Sequence, residues 1–218
     1  MTVDKLNEAI AFAAEKHADK TRKGSNLPYI VHPMEAAAIA SYLTDDLEVI
    51  AAAVLHDVVE DSDATKDDLE KLFGNRVAEL VASDSEDKME EIAASASWKT
   101  RKQQTIDHLG NTSRDEQIIV LADKLSNIRS MYKDYCTIGD ELWQRFNQKN
   151  KAEHAWYYKS IGEKLDKLND TVPYHEYIDL VERVFSEKMS VVIEFDPLKF
   201  KRINYSLEKS YSKITIEQ

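Results

Sequence analysis

The segment from residue 51 to 61 combines an apolar run with residues that can bind a metal or transfer a proton. It places His56 next to Asp57, with Glu60 and Asp61 one helical turn later. Apolar residues at positions 49, 50, 53, 54 and 58 recur with a spacing near 3.6, which predicts a buried helix. On this helix His56, Asp57 and Glu60 point to roughly one side. Burying these polar groups costs several kcal/mol unless a partner such as a divalent metal compensates.

The segment by itself leaves two interpretations open, because a His-Asp pair in a helix also occurs without a metal and an acidic pair at a helix end is usually only hydrated. Two other polar clusters add weight to the metal. His32 precedes Pro33, which suits the first position of a helix and places His32 at its N-cap. Asp123 and Asn127 share one face of an apolar helix predicted from residue 115 to about 132, where a buried carboxylate again requires a partner.

Length and composition define the class of protein. With 218 residues and 43% hydrophobic content, the chain can bury one good core, and its five glycines and four prolines indicate a mostly helical protein. The net charge of −11 argues against binding to nucleic acid or to an anionic membrane. A single cysteine, Cys136, and the lack of a long apolar run predict a soluble, cytoplasmic protein.

The C-terminal part of the chain has one more predicted helix after Pro173 and changes character from Ser190 on. We predict a last helix from about residue 174 to 189, followed by β-rich segments at 190–195, 201–205 and 212–216 that form a small antiparallel sheet. We therefore divide the chain into a main domain, residues 1–170, and an extension, residues 171–218. The sequence does not reveal the role of this extension, and formation of a homodimer and regulation both stay open.

Three motifs follow one another along the chain: Arg22-Lys23-x4-Pro28-Tyr29-Ile30-x-His32-Pro33, His56-Asp57-x-x-Glu60-Asp61 and Asp123-Lys124-x-x-Asn127-x-Arg129. In this order they resemble the RelA/SpoT-type alarmone hydrolases of the HD superfamily. The resemblance covers roughly residues 5 to 168 and implies an all-α HD-domain helical bundle with hydrolase activity alone, because a synthetase domain would need well over a hundred further residues. Two aromatic stretches, at 143–146 and 156–158, are similar to those of bacterial small alarmone hydrolases.

The resemblance implies a role for each matching residue. The acidic pair would orient a metal-bound water, take its proton and return one to the leaving group. A ligand set of nitrogen and oxygen without sulfur suits Mn²⁺, Fe²⁺ or Zn²⁺, and the family implies one Mn²⁺. The implied metal ligands are His32, His56, Asp57 and Asp123, and the implied catalytic pair is Glu60 and Asp61.

The implied substrate is guanosine 3′,5′-bispyrophosphate (ppGpp, or pppGpp with a 5′-triphosphate), cleaved at the 3′ position to GDP or GTP plus pyrophosphate. Its phosphates need local cations in so acidic a protein. Arg22 and Lys23 would lie against the nucleotide, and Asn127 near its ribose or base. The remaining candidates for substrate contacts are Tyr157, and Lys99 or Arg101 for a distal phosphate.

Two alternatives to this function stay open. The same metal chemistry would serve an adenine alarmone or the phosphate of a dinucleotide such as NADPH, because the motifs fix the metal and the water and leave the base undetermined. The loop between Lys23 and Pro28, which differs in length from that of some family members, bears on this choice. The second alternative is a non-catalytic nucleotide-binding or protein-interaction module. It predicts loss of Glu60, Asp61 or a metal ligand, and all six residues are present.

Overall fold

A computed structural model describes residues 1–84 and 94–186, together with two short strands further on. Apart from these strands the described part is helical, which confirms the predicted all-α class. Two 3-10 helices, Gly139–Arg145 and Asp166–Leu168, flank the helix at Lys151–Lys164. The helices are α1 Val3–Lys16, α2 Val31–Ala40, α3 Leu47–Leu55, α4 Val58–Asp61, α5 Lys66–Phe73, α6 Asn75–Asp84, α7 Ala94–Leu109, α8 Arg114–Ile138, α9 Lys151–Lys164 and α10 Val172–Phe185.

Helix α8 is the central element of the bundle and packs against α2, α3 and α6. It begins at a capping box in which Ser113 and Glu116 satisfy each other's backbone N–H groups. Its apolar face is buried at Ile118, Leu121 and Leu125, and α3 opposite it is rich in small buried alanines that allow close approach. Polar residues on a second face of α8 therefore lie inside the bundle, held by a well-packed core.

The predicted continuous helix through His56 is wrong, because α3 ends at Leu55 and α4 begins only at Val58. The break between the two helices can be traced to the His56 ring. Its Nδ1 lies 2.8 Å from the carbonyl oxygen of Ala53, one of the last carbonyls of α3. The side chain thus engages a backbone acceptor at the helix end and places His56 and Asp57 in a turn.

The prediction that His32 is an N-cap residue is also wrong. Helix α2 starts at Val31, and Ile30 occupies the N-cap without a side-chain hydrogen bond. The N–H of His32 donates to the carbonyl oxygen of Tyr29 at 3.0 Å, so the helical turn is already formed before Pro33. Pro33 tolerates this position in the first turn because its missing N–H is not needed there.

A compact unit spans Met1–Val184, and residues Phe185–Gln218 form a second unit. Almost all of α10 belongs to the first unit, because the buried Tyr177 hydroxyl donates to the carbonyl oxygen of Tyr158 at 2.7 Å. A boundary after residue 170 would separate α10 from the residues that it packs against. The predicted division of the chain into two domains stays a prediction.

In the second unit, strands Ile203–Asn204 (β1) and Thr215–Ile216 (β2) pair antiparallel, with Ile203 opposite Ile216. Both lie within predicted β segments. The predicted strand at 190–195 falls outside the described residues. Within the described residues, no helix is both long and apolar enough to cross a membrane.

Candidate metal centre and active site

The four predicted metal ligands converge from three parts of the bundle. His32 comes from the first turn of α2, His56 and Asp57 from the turn between α3 and α4, and Asp123 from the middle of α8. His32 Nε2 lies 3.1 Å from Asp123 Oδ1 and 3.6 Å from Asp57 Oδ2. His56 Nε2 lies 3.0 Å from Asp57 Oδ2 and 3.7 Å from Asp123 Oδ1. Two imidazoles and two carboxylates therefore face one point.

The carboxylates around His56 favour a cation at this point. Burial lowers the pKa of His56, but the Asp57 and Asp123 carboxylates outweigh that effect and raise its pKa well above the ordinary value. Within the described part of the chain, the buried His56 Nε2 has no well-aligned hydrogen bond, although Asp57 Oδ2 is close. A buried nitrogen between two carboxylates is a good position for a metal ligand, because a cation satisfies all three groups.

The donor set fits a divalent metal. Ligand atoms of His32, His56 and Asp57 all lie within 4.8 Å of one another, and Asp123 contacts both imidazoles. Both carboxyl groups are ionised, because the imidazoles and the Lys124 ammonium, which pairs with Asp123, outweigh burial and hold their pKa values low. Nitrogen and carboxylate oxygen without thiolate suit a catalytic rather than a structural site.

A second layer of residues orients the ligands, and the sequence analysis did not identify it. Tyr29 donates its hydroxyl to Asp57 Oδ2 at 2.5 Å. Ser126 Oγ donates to Glu35 Oε2 at 2.8 Å and lies 2.8 Å from His32 Nδ1. Since the serine proton is used on Glu35, Ser126 accepts from the His32 Nδ1–H, which leaves the His32 Nε2 lone pair for the metal. Tyr29 belongs to the first sequence motif, whereas the sequence signal for Ser126 was only its position three residues after Asp123 on α8.

An ion-pair network holds Glu35 in place behind this serine. Arg129 NH1 lies 2.9 Å from Glu35 Oε1, and the Nε and NH2 of the same guanidinium bind both oxygens of Glu176 at 2.7 Å. This bidentate pairing connects α2, α8 and α10. Arg129 belongs to one of the sequence motifs, and the structure gives it a positioning role behind His32.

We expect Ser126→Ala to weaken metal binding about 10–100-fold, because His32 loses the acceptor that fixes its tautomer. Titration calorimetry with Mn²⁺ on metal-free protein measures the effect directly. Ser41→Ala is the matched control, since Ser41 Oγ donates only to a backbone carbonyl on the exposed end of α2. Equal Mn²⁺ affinity in the two variants would contradict this role for Ser126.

The predicted catalytic pair lies directly beyond the ligands. Helix α4 begins after Asp57 and carries Glu60 and Asp61, both partly exposed. Asp61 Oδ2 is 3.6 Å from Lys20 Nζ. Burial raises the pKa of Tyr29, and the charges of Asp57 and Asp61 add to the rise. Both carboxylates follow the predicted ligand Asp57 along the chain within about one helical turn.

Two of the three nucleotide-binding candidates are connected to the metal ligands by hydrogen bonds. Arg22 NH2 donates to Asn127 Oδ1 at 3.0 Å, and Asn127 Nδ2 donates to Asp123 Oδ1 at 2.5 Å. Lys23 Nζ lies 5.9 Å from the centre of the Phe146 ring. All three candidates line one cavity of about 190 Å³. The structure therefore brings Arg22, Lys23 and Asn127 together beside the ligand cluster.

Tyr157 is also placed near the ligands, with two lysines around its ring. Its ring is buried, and the nitrogens of Lys102 and Lys124 lie 4.8 Å and 5.9 Å from its centre. Lys124 also pairs with Asp123, so this aromatic ring and its two cations adjoin the metal centre. Such a cluster suits a phosphate group of a bound nucleotide.

The two distal-phosphate candidates have other partners. Lys99 Nζ lies 2.9 Å from Glu153 Oε2 and 5.2 Å from the centre of the Trp156 ring. Arg101 Nε donates to Ser97 Oγ at 3.3 Å. Lys102, which the sequence analysis passed over, is the residue of this basic helix that lies on Tyr157. Sequence alone did not show which of these neighbouring cations faces the site.

A helical bundle that gathers two histidines and two aspartates in this way defines a metal-dependent hydrolase of the HD class. Residues 9–148 match the HD domain family, and the chain belongs to that family.

Named relatives within this family are guanosine-3′,5′-bis(diphosphate) 3′-pyrophosphohydrolases. The chain is 40% identical over 135 residues to the Danio rerio enzyme MESH1, covering 61% of this chain and 71% of that protein. It is 37% identical over 153 residues to Homo sapiens MESH1, covering 69% and 80%. It is 35% identical over 135 residues to the Vibrio cholerae enzyme, covering 59% of this chain and 18% of that longer protein.

Solved structures agree with this assignment. One is a metazoan ortholog of SpoT described as hydrolysing ppGpp and acting in starvation responses. It superposes with a TM-score of 0.68 at 30% identity and covers 84% of this chain and 96% of its own. The other is lmo0812 from Listeria monocytogenes EGD-e, with a TM-score of 0.63 at 30% identity, covering 72% and 99%.

Proposed function

We propose that this protein hydrolyses the 3′-pyrophosphate of guanosine 3′,5′-bispyrophosphate, releasing pyrophosphate and GDP, or GTP from pppGpp. The observation that carries the proposal is the convergence of His32, His56, Asp57 and Asp123, with Glu60 and Asp61 directly beyond them. Relatives that are 35–40% identical bear this activity in their names. The intact acidic pair disfavours a non-catalytic nucleotide-binding module.

The cofactor of the proposal is one Mn²⁺ held by the four ligands. A divalent metal bound there lowers the pKa of a coordinated water and polarises a phosphate oxygen. The two imidazoles favour Mn²⁺, Fe²⁺ or Zn²⁺ over Ca²⁺ and Mg²⁺, which prefer oxygen ligands.

The protein residues supply the proton transfers. Glu60 and Asp61 orient the attacking water and accept its proton. When the bond between the phosphorus and the ribose 3′-oxygen breaks, that oxygen receives a proton from the same acidic pair and leaves as a hydroxyl. Because α4 follows Asp57 directly, the backbone ties the acidic pair closely to this proposed ligand.

The nucleotide contacts come from two sides of the metal centre. Arg22, Lys23 and Asn127 bind the nucleoside in the adjoining cavity. Lys102 and Lys124, beside Tyr157, neutralise the phosphates. We expect a smaller contribution from Lys99 and Arg101, whose side chains bind Glu153 and Ser97.

The partners and the cellular location of the enzyme are part of the same proposal. A small nucleotide is its substrate, and we expect no nucleic-acid or membrane partner because the net charge is −11. We place the enzyme in the cytoplasm, where a chain with one cysteine stays reduced. A homodimer formed through the extension stays a prediction.

The test is release of pyrophosphate from guanosine 3′,5′-bispyrophosphate with Mn²⁺, compared with the adenosine analogue and with NADPH. Asp57→Ala serves as the inactive control because it removes a ligand. We expect metal-dependent release from the guanosine compound that the substitution abolishes. Turnover of NADPH alone would show that the proposed substrate is wrong and that NADPH takes its place. No turnover of any of the three compounds would favour a binding module.

A further inference from the structure

An ion pair that no step of the proposed reaction uses lines the cavity beside the predicted metal ligands. Tyr29 and Asn127, which line the cavity, contact the predicted ligands Asp57 and Asp123. Asp134 and Arg145 line it as well. Arg145 NH1 lies 2.7 Å from Asp134 Oδ2. The two side chains are 29% and 31% exposed, so the pair is accessible yet partly shielded from water.

The loop at residues 22–28 fixes the position of the Arg145 guanidinium. Gly24 has φ of +76°, and a Cβ at this position would overlap the end of the Arg145 side chain. Only a glycine combines this backbone conformation with such close approach. Arg145 therefore lies between the loop and Asp134 on α8, and its charged group is held at the cavity wall.

The span of the cavity suits a nucleoside whose 3′ end is at the metal. Asp123, Asn127 and Asp134 lie on one face of α8, and the eleven helical steps from the first to the last extend about 16 Å along the axis. Side chains on a helix point towards its N-terminus, which for Asp134 is the direction of Asp123. Between the two ends, the apolar groups of Met131, Leu142 and Phe146 line the walls and can contact the faces of a base.

We propose that Asp134 and Arg145 read the Watson–Crick edge of the substrate base and select guanine over adenine. This inference rests on the proposed function, since it specifies the base of the nucleotide bound there. Guanine presents two N–H donors, from N1 and the 2-amino group, beside the O6 acceptor. A carboxylate next to a guanidinium offers the complementary acceptor and donor. Adenine places its N1 lone pair against the carboxylate and its amino group against the guanidinium, so both contacts are repulsive.

The test compares kcat/KM for guanosine and adenosine 3′,5′-bispyrophosphate in the wild-type protein and in Asp134→Asn. An amide of the same shape offers a donor as well as an acceptor, so it tolerates both bases. We expect the wild-type preference for guanosine to fall about tenfold or more, mainly through KM for the guanosine compound. Arg145→Gln should also lower the preference for guanosine, because it removes the guanidinium that pairs with the O6 acceptor of guanine.

The matched control is Asp179→Asn, which breaks another exposed aspartate–arginine pair, with Arg183 on α10, away from the cavity. It should leave the preference unchanged. A guanosine-to-adenosine ratio within twofold of wild type in both Asp134→Asn and Arg145→Gln would overturn the assignment, as would a wild-type protein without a guanine preference.

Binding of GDP and ADP, measured by calorimetry, separates failure of this inference from failure of the proposed function. If the wild-type protein hydrolyses neither bispyrophosphate, the proposed reaction is wrong, and the base preference is then read from binding alone. Tighter binding of GDP that Asp134→Asn abolishes would support the inference. Equal binding of GDP and ADP by the wild-type protein would overturn it.

Discussion

Replacing Glu60 with Gln lowers kcat for pyrophosphate release by a factor of about 10²–10⁴, the usual contribution of a general acid–base group. The amide keeps the shape of the side chain but cannot accept the proton of the attacking water. Asp61→Asn should cause a loss within the same range, since the ribose 3′-oxygen also needs a proton. Neither residue is among the four ligands, so both variants should bind Mn²⁺ as tightly as the wild type does.

The measurements are kcat at saturating substrate and Mn²⁺ affinity on the same preparations. Asp63→Asn is the control, because this carboxylate lies just beyond α4 and pairs with Lys16 on the surface. It should leave kcat unchanged. If Glu60→Gln and Asp61→Asn both retained wild-type kcat, the acidic pair would have no catalytic role. If either lost Mn²⁺ binding together with activity, the residue would belong among the ligands instead.

The resemblance to the alarmone hydrolases predicted which four residues would converge, and the sequence around three of them gives a physical reason. His56, Asp57 and Asp123 lie among alanines, valines and leucines, where only a shared partner makes burial favourable. The local backbone was less predictable. The periodicity of apolar residues continues across His56 and indicates one helix, while the contact of the His56 ring with the carbonyl oxygen of Ala53 ends α3 at Leu55.

Residues that act through tertiary contacts gave almost no sequence signal. Ser126 is an ordinary small residue in a helix, and its role follows from the approach of His32 and Glu35 on another helix. The same holds for Lys102, whose position on Tyr157 depends on how α7 packs against α9. Asp134 lies outside the motifs, and only the fold places it opposite Arg145. Spacing along one helix cannot show such contacts between helices.

Adding Mn²⁺ to metal-free protein stabilises the fold, and Asp123→Asn abolishes that stabilisation. A ligand present at a thousand times its dissociation constant adds about 4 kcal/mol to the free energy of unfolding. For a chain of this size that corresponds to a rise in Tm of about 10 °C. Asp123 lies within reach of both imidazoles, and the neutral amide of asparagine would not supply the negative charge with which the carboxylate would bind the cation. Turnover should be lost with the metal.

Differential scanning calorimetry with and without Mn²⁺ measures this effect as a difference within each protein, so a change in the stability of the metal-free variant does not obscure it. Asp107→Asn, on the exposed surface of α7, is the control and should keep the full rise in Tm. Ca²⁺ should raise the Tm of the wild-type protein far less, because it binds imidazole nitrogen poorly. A full Mn²⁺-dependent rise in Asp123→Asn would remove Asp123 from the ligand set, and an equal rise with Ca²⁺ would place the metal on surface carboxylates instead of the two histidines.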